Sequence, residues 1–141
     1  MNASEQAKGL ELTAKIATVV NLFKQQFPDA RADLKPWRND PDTLNLVDPH
    51  SIDIGFHFPG WSPKIQSRSI LVQIRLHDDP EIETRNLIGL DMVGINHQGT
   101  AWQMSTIGQW QLTGQSLPVA AVGEKLKQFC EQVFELFRSG S

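Results

Sequence analysis

Apolar and polar residues alternate most regularly over Ser69–His77, SILVQIRLH. Ile70, Val72, Ile74 and Leu76 fall on one side of an extended chain, and Leu71, Gln73, Arg75 and His77 on the other. Side chains alternate across a strand with period two, so this stretch predicts a half-buried β-strand. Three more stretches share the pattern. In Ile52–Phe58, Ile52, Ile54, Phe56 and Phe58 oppose Asp53, Gly55 and His57. In Asn86–Ile95, Ile88, Leu90 and Met92 oppose Leu87, Gly89, Asp91, Val93 and Ile95. In Ala101–Ile107, Trp102, Met104 and Thr106 oppose Ala101, Gln103, Ser105 and Ile107. Gly108 permits a kink, after which Gln109–Thr113 continues that strand or makes a short fifth. PGWSP at 59–63 reads as a turn, HDDPEIETRN at 77–86 as a polar loop, and Asn96–Gly99 as a hairpin turn.

The period changes at both ends of the chain. Leu12, Ile16, Val19, Val20, Phe23 and Phe27 recur at three- and four-residue steps, which predicts a helix over Glu5–Gln26 with Ser4 as its N-cap. Gly9 weakens its first turns by roughly 1 kcal/mol relative to alanine. Pro28 ends it, because the residue before a proline is pushed out of the helical region. Val119, Val122, Leu126, Phe129, Cys130, Val133, Leu136 and Phe137 make a second stripe. Pro118 suits its first helical position and Gly140 the position just past its end. Both stripes read as core-packing faces. A partner-binding helix is the sharper alternative for the first, and a homodimer seam for the second. Between the first helix and the strands, residues 28–51 hold four prolines and no periodicity. They read as a long Pro/Asp-rich connector, with a helical turn or edge strand near Leu44–Val47.

Strands bracketed by helices define the expected fold class. It is α+β, an antiparallel sheet of four to five strands with an N-terminal and a C-terminal helix packed on one face. Residues 1–141 suit one such domain, with the connector inside it.

Composition narrows the setting. Hydrophobic residues make up 40% of the chain and charged residues 21%, a globular balance that argues against disorder. A net charge of −3 gives no overall electrostatic footprint for nucleic acid. Cys130 is the single cysteine, which rules out an intrachain disulfide and suits a reducing, cytoplasmic setting. The start, MNASEQAKGLELTAK, lacks a secretory signal pattern, and no apolar run is long enough for a membrane helix.

The polar side of the strands is where chemistry could gather. It collects Asp53, His57, Gln73, Arg75, His77, Asp91, Gln103, Ser105 and Gln111. A solvated sheet face is the plain reading of such an array. If the first two strands are neighbours, His57, His77 and an aspartate could instead form a metal site or serve acid–base chemistry. No G-x-S-x-G, P-loop, G-x-G-x-x-G or H-x-x-x-H pattern occurs. No catalytic residue, metal or cofactor is therefore assigned. Cys130 lies on the apolar stripe of the last helix and reads as packing.

The tryptophans divide by context. Trp102 and Trp110 alternate with polar residues and suit the core or its edge. Trp37 and Trp61 stand in proline-rich segments, where an aromatic can plug a core edge or anchor a partner. Lys64, Arg68 and Arg75 follow Trp61, and aromatics beside cations hold single-stranded nucleic acid by stacking. The order of strands then helix is loosely similar to Whirly-type single-strand binding folds, a likeness of fold alone.

GFHFPGWSP and GTAWQMSTIGQW, within residues 50–115, resemble small uncharacterised proteins of cyanobacteria. The resemblance implies a soluble cytoplasmic protein of unassigned role and carries over no site residue. The leading expectation is a non-enzymatic binding or assembly module for an unidentified protein or small ligand. Trp37, Trp61, Arg68, Gln73, Arg75, His77 and His57 are its candidate contact residues. A single-stranded nucleic-acid binder using Lys64, Arg68 and Arg75 is the first alternative. A small enzyme or metal site on the polar sheet face is the second.

Overall fold

The computed structural model describes residues 2–6, 9–36, 51–79, 84–108 and 110–139. Trp37, His50 and the Leu44–Val47 segment lie outside the described residues. The chain runs α1 (Ala3–Gln6), α2 (Leu10–Gln26), β1 (Arg31–Asp33), β2 (Ser51–Ser62), β3 (Ser67–Asp79), β4 (Thr84–Asn96), β5 (Gly99–Ser105), β6 (Gln111–Gly114) and α3 (Ala120–Ser139). The strands form one antiparallel sheet in chain order, β1-β2-β3-β4-β5-β6. The α+β class and the antiparallel sheet agree with the alternating pattern. The strand count does not, and neither do the helix bounds.

Among the described residues six strands replace the expected four or five. The short fifth strand offered after Gly108 is β6, separated from β5 by a bend in which Gly108 takes a φ of 91°. The addition is β1, three residues drawn from the supposed connector, which pair with Gly55–His57 along the edge of β2. Three residues are too few to show a period. The PGWS residues expected in a turn belong to the end of β2, and the turn falls at Pro63–Gln66 instead. Pro59 is tolerated because β2 loses regular pairing with β3 between His57 and Ser62, so no ladder bond needs its missing N–H. Strands β3 and β4 continue to Asp79 and from Thr84, which shortens the polar loop expected at 77–86.

The first helix is displaced as well. Ser4 lies within the single turn α1 and is not a cap, its N–H bonding to Leu34 O at 3.0 Å. Gly9 precedes α2 with a φ of 83°, open to glycine but strained for other residues. At the other end α3 begins at Ala120, two residues after Pro118.

Ile52, Ile54, Phe56, Ile70, Val72, Ile74, Leu90, Met92, Trp102 and Met104 are all buried. Cross-strand pairing places them on one face of the sheet. The helices rest on that face. Phe23 of α2 stacks on Phe56 at a centroid distance of 3.8 Å, and Phe129 of α3 meets Phe23 edge-on at 5.2 Å. Trp102 lies over Gly94, where a side chain would collide with the indole, and its Nε1–H donates to Ile65 O at 2.8 Å. Trp110 is half-buried and stacks on Phe134.

Two residues of the expected core are misplaced: Val119, which precedes α3 and is exposed, and Ile88. The β3–β4 register shifts between Arg75 and Leu76, where Gly89 pairs with Arg75 and Leu87 with Leu76. Ile88 is the extra residue of that bulge and is 52% exposed. Alternation alone groups it with Leu90 and Met92.

Candidate functional site

Cross-strand partners share a face, so the register fixes which side chains meet opposite the helices. One row runs Asp53, Gln73, Asp91, Ser105 and Gln111 across five strands. The next runs Asp33, Gly55, Leu71, Val93, Gln103 and Thr113. A third runs Arg31, His57, Ser69 and Ile95. Polar ends thus flank an apolar middle formed by Leu71 and Val93.

The first row is internally satisfied along much of its length. Ser51 Oγ donates to Asp53 Oδ1 at 2.7 Å, and both residues are fully buried. Arg75 Nε donates to Asp91 Oδ2, and an Arg75 terminal nitrogen reaches Gln73 Oε1 at 3.5 Å. Buried polar groups need such partners, because an unmade hydrogen bond costs more than a made one gains. Arg75 and Gln73 therefore brace one another and Asp91. Beside them is a depression of about 450 Å³, with Gln103, Ser105 and Gln111 on its walls.

A larger depression, about 700 Å³, lies at the other end of the face around His57. His57 Nδ1 sits 2.8 Å from Ser69 Oγ and Nε2 sits 3.2 Å from Asp33 Oδ2. The second Asp33 oxygen accepts the Lys35 backbone N–H at 2.9 Å. Gly55 lies beside this pair: a Cβ there would make ordinary contact with Asp33 Cβ and His57 Nε2, each at 3.6 Å. A carboxylate only accepts, so Nε2 carries a proton, and in the neutral ring Nδ1 accepts the Ser69 hydroxyl. Arg31, Arg68 and His97 complete the wall. A smaller apolar hollow of about 130 Å³, lined by Pro36, Gly55, Leu71 and Ile95, opens beside it and shares His57 and Ser69.

Hydroxyl, imidazole and carboxylate in series is the order of a serine hydrolase triad, with the two ring nitrogens exchanged. The surroundings differ. Ser69 lies within a strand paired on both sides, to His57 and to Ile95. Ladder hydrogen bonds run in the plane of the sheet, so the local N–H groups are not aimed at an oxyanion above Ser69. The trio orients an imidazole in an open groove.

The register separates several residues that sequence could place together. His57 pairs with Ser69 and His77 with Asn86, eight positions farther along β3. Their backbones stand roughly 26 Å apart at about 3.3 Å per residue. A metal site shared by His57 and His77 is not assembled. Arg68 and Arg75 stand seven positions apart on β3, roughly 23 Å. With Lys64 on the turn before β3, no compact patch unites the three. Arg68 lies on the wall of the His57 depression and Gln73 and Arg75 in the other, while Trp61 is 50% exposed near the end of β2. Among the described residues no three His, Cys, Asp or Glu side chains cluster to hold a metal ion.

Arg31, Asp33, Ser69 and His97 are site residues that reading along the chain misses. Ser69 shares parity with Gln73 and could have been included. Arg31 and Asp33 sit in a segment with no period, and only pairing with β2 brings them to His57. Cys130 is buried in α3, where desolvation, then the nearby Glu131, pushes its thiol up to about 12. It is a packing residue.

The fold and its groove define a class: an α+β protein whose antiparallel sheet is sealed by helices on one face and grooved by polar side chains on the other. The chain belongs to a family described as a domain of unknown function, matched over residues 4–139. No curated protein and no solved structure matches it. Among the described residues no helix is long and apolar enough to cross a membrane.

Proposed function

We propose that the chain is a non-enzymatic binding module that receives a protein or small ligand on the open face of its sheet, in the cytosol. The observation that carries this reading is the two-sided character of the sheet. One face is committed to the helices, and the other gathers polar side chains from six strands around two depressions. Concave sites with a few convergent polar groups are where ligands bind. The buried thiol of Cys130 is consistent with packing rather than chemistry. Affinity capture from native lysate tests the reading with wild type, Arg68→Glu, Gln103→Arg and the helix-side control Glu124→Lys. Loss of a bound species with the two sheet-face variants and its retention by the control is the expected outcome. Equal recovery by all four overturns it.

A second reading, single-stranded nucleic acid, is favoured by one observation. Trp61 is half-exposed, and it precedes Ser62, whose partner Ser67 is followed by Arg68. An exposed ring near a cation is the element such binding uses. Fluorescence anisotropy with labelled oligonucleotides at low salt tests it, and an unchanged signal at micromolar protein counts against it.

A further inference from the structure

We propose that the His57 depression binds a small organic anion with a compact apolar body. Its acid group would lie between Arg31 and Arg68, and its body in the hollow formed by Pro36, Gly55, Leu71 and Ile95. The inference deepens the open-face reading and rests on it.

Charge selects the head group. The chain carries a net charge of −3, yet two arginines and one aspartate line this depression. Asp33 is already engaged by His57 and by the Lys35 N–H. Among the described residues neither Arg31 nor Arg68 has a carboxylate partner. Both are exposed, and Arg31 stands directly across from His57 in the β1–β2 register. Guanidinium groups present a planar fork of donors that matches carboxylate and phosphate oxygens. His57, held by contacts at both ring nitrogens, is a fixed wall between the charged and apolar parts.

Size selects the body. The hollow measures about 130 Å³. An apolar cavity of roughly 150 Å³ is known to hold benzene, so a single ring or a short branched chain is the right bulk. The larger depression, about 700 Å³, falls within the range of small-molecule sites, roughly 300–1,000 Å³. The adjacency of the two hollows, which share His57, Ser69 and Ile95, points to one ligand with both characters.

Amide chemical-shift titrations at low salt provide the test, with phenyl phosphate, benzoate, inorganic phosphate and benzyl alcohol as probes. Phenyl phosphate or benzoate is expected to give saturable shifts at His57, Ser69 and Ile95. Inorganic phosphate and benzyl alcohol should bind at least tenfold more weakly, since each offers half of the ligand. The pair of aromatic acids distinguishes a phosphate from a carboxylate head, and saturation by either supports the proposal. Arg31→Ala with Arg68→Ala should weaken the aromatic acid tenfold or more. Gly55→Ala adds a methyl that meets Pro36 Cβ at 3.4 Å, an ordinary contact the fold can hold. It should weaken the aromatic acid and leave inorganic phosphate unchanged. A matching thermal melt shows that each variant is folded. No saturable shift at millimolar probe, or equal binding by wild type and the double arginine variant, overturns the proposal. If Gln103→Arg still loses a lysate partner while every probe fails, the open-face reading stands and this one falls.

Discussion

Trp102 occupies the space that a side chain at position 94 would need. The indole is fully buried and its Nε1–H is tied to Ile65 O, so it cannot swing aside cheaply. Gly94→Ala is expected to destabilise the fold by about 1–3 kcal/mol, the usual cost of overpacking a core. Urea denaturation measures it. Adding Trp102→Leu should recover part of that loss, because the smaller side chain vacates the contact; additive losses would refute the explanation. Cys130 carries a pH prediction. Its thiol is raised from 9.0 to about 12 by burial, with Glu131 a lesser cause. Between those values the unfolded chain releases a proton that the native chain retains. Stability is then full below pH 9 and falls as pH rises, at up to about 1.4 kcal/mol per unit. Cys130→Ala should flatten this part of the stability profile, and a thiol reagent at pH 8 should react only after denaturant is added.

Strand pairing decides what a side chain does more firmly than the side chain itself. Ile88 and Leu90 look alike in the alternating pattern, yet the bulge opposite Arg75 and Leu76 turns Ile88 outward. Ile88→Ala should change stability by only about 0.5 kcal/mol, while Leu90→Ala should cost about 2–5 kcal/mol. Equal effects, read from denaturation midpoints, would show that no bulge forms. The same contrast explains what could be read along the chain. Period-two runs announce β2, β3, β4 and β5, because their apolar residues share one buried face. Strand β1 is invisible because three residues carry no period, and Asp33 with it. The site is hidden for the same reason: His57, Asp33 and Ser69 meet through register, which no single strand encodes. Where spacing invited a pairing of His57 with His77, register places His77 eight positions along β3 from Ser69, the partner of His57.

Across the whole sheet, support is uneven. Strands β3 and β4 pair along nearly their full lengths, whereas β1 offers three residues and β6 four. Hydrogen exchange should therefore be slowest in Ile70–Ile74 and Leu90–Gly94 and fastest in β1 and β6, since local opening follows burial and paired neighbours. Uniform protection across all strands would contradict this. The His57 groove spans the weakly held β1, so a ligand bridging Arg31 and Arg68 should raise protection in β1 first.

The meeting of Phe23 with Phe129 joins the first long helix to the last. Among the described residues each strand pairs with the next one in the chain, so the sheet can assemble progressively as it leaves the ribosome. Its apolar face, however, stays only half roofed until α3 has been made. A nascent chain that stops after Gly114 carries the sheet's apolar face with only α1 and α2 to hide it, and is expected to be captured by chaperones or to precipitate. Completion of the apolar face should therefore wait on the twenty-residue helix α3.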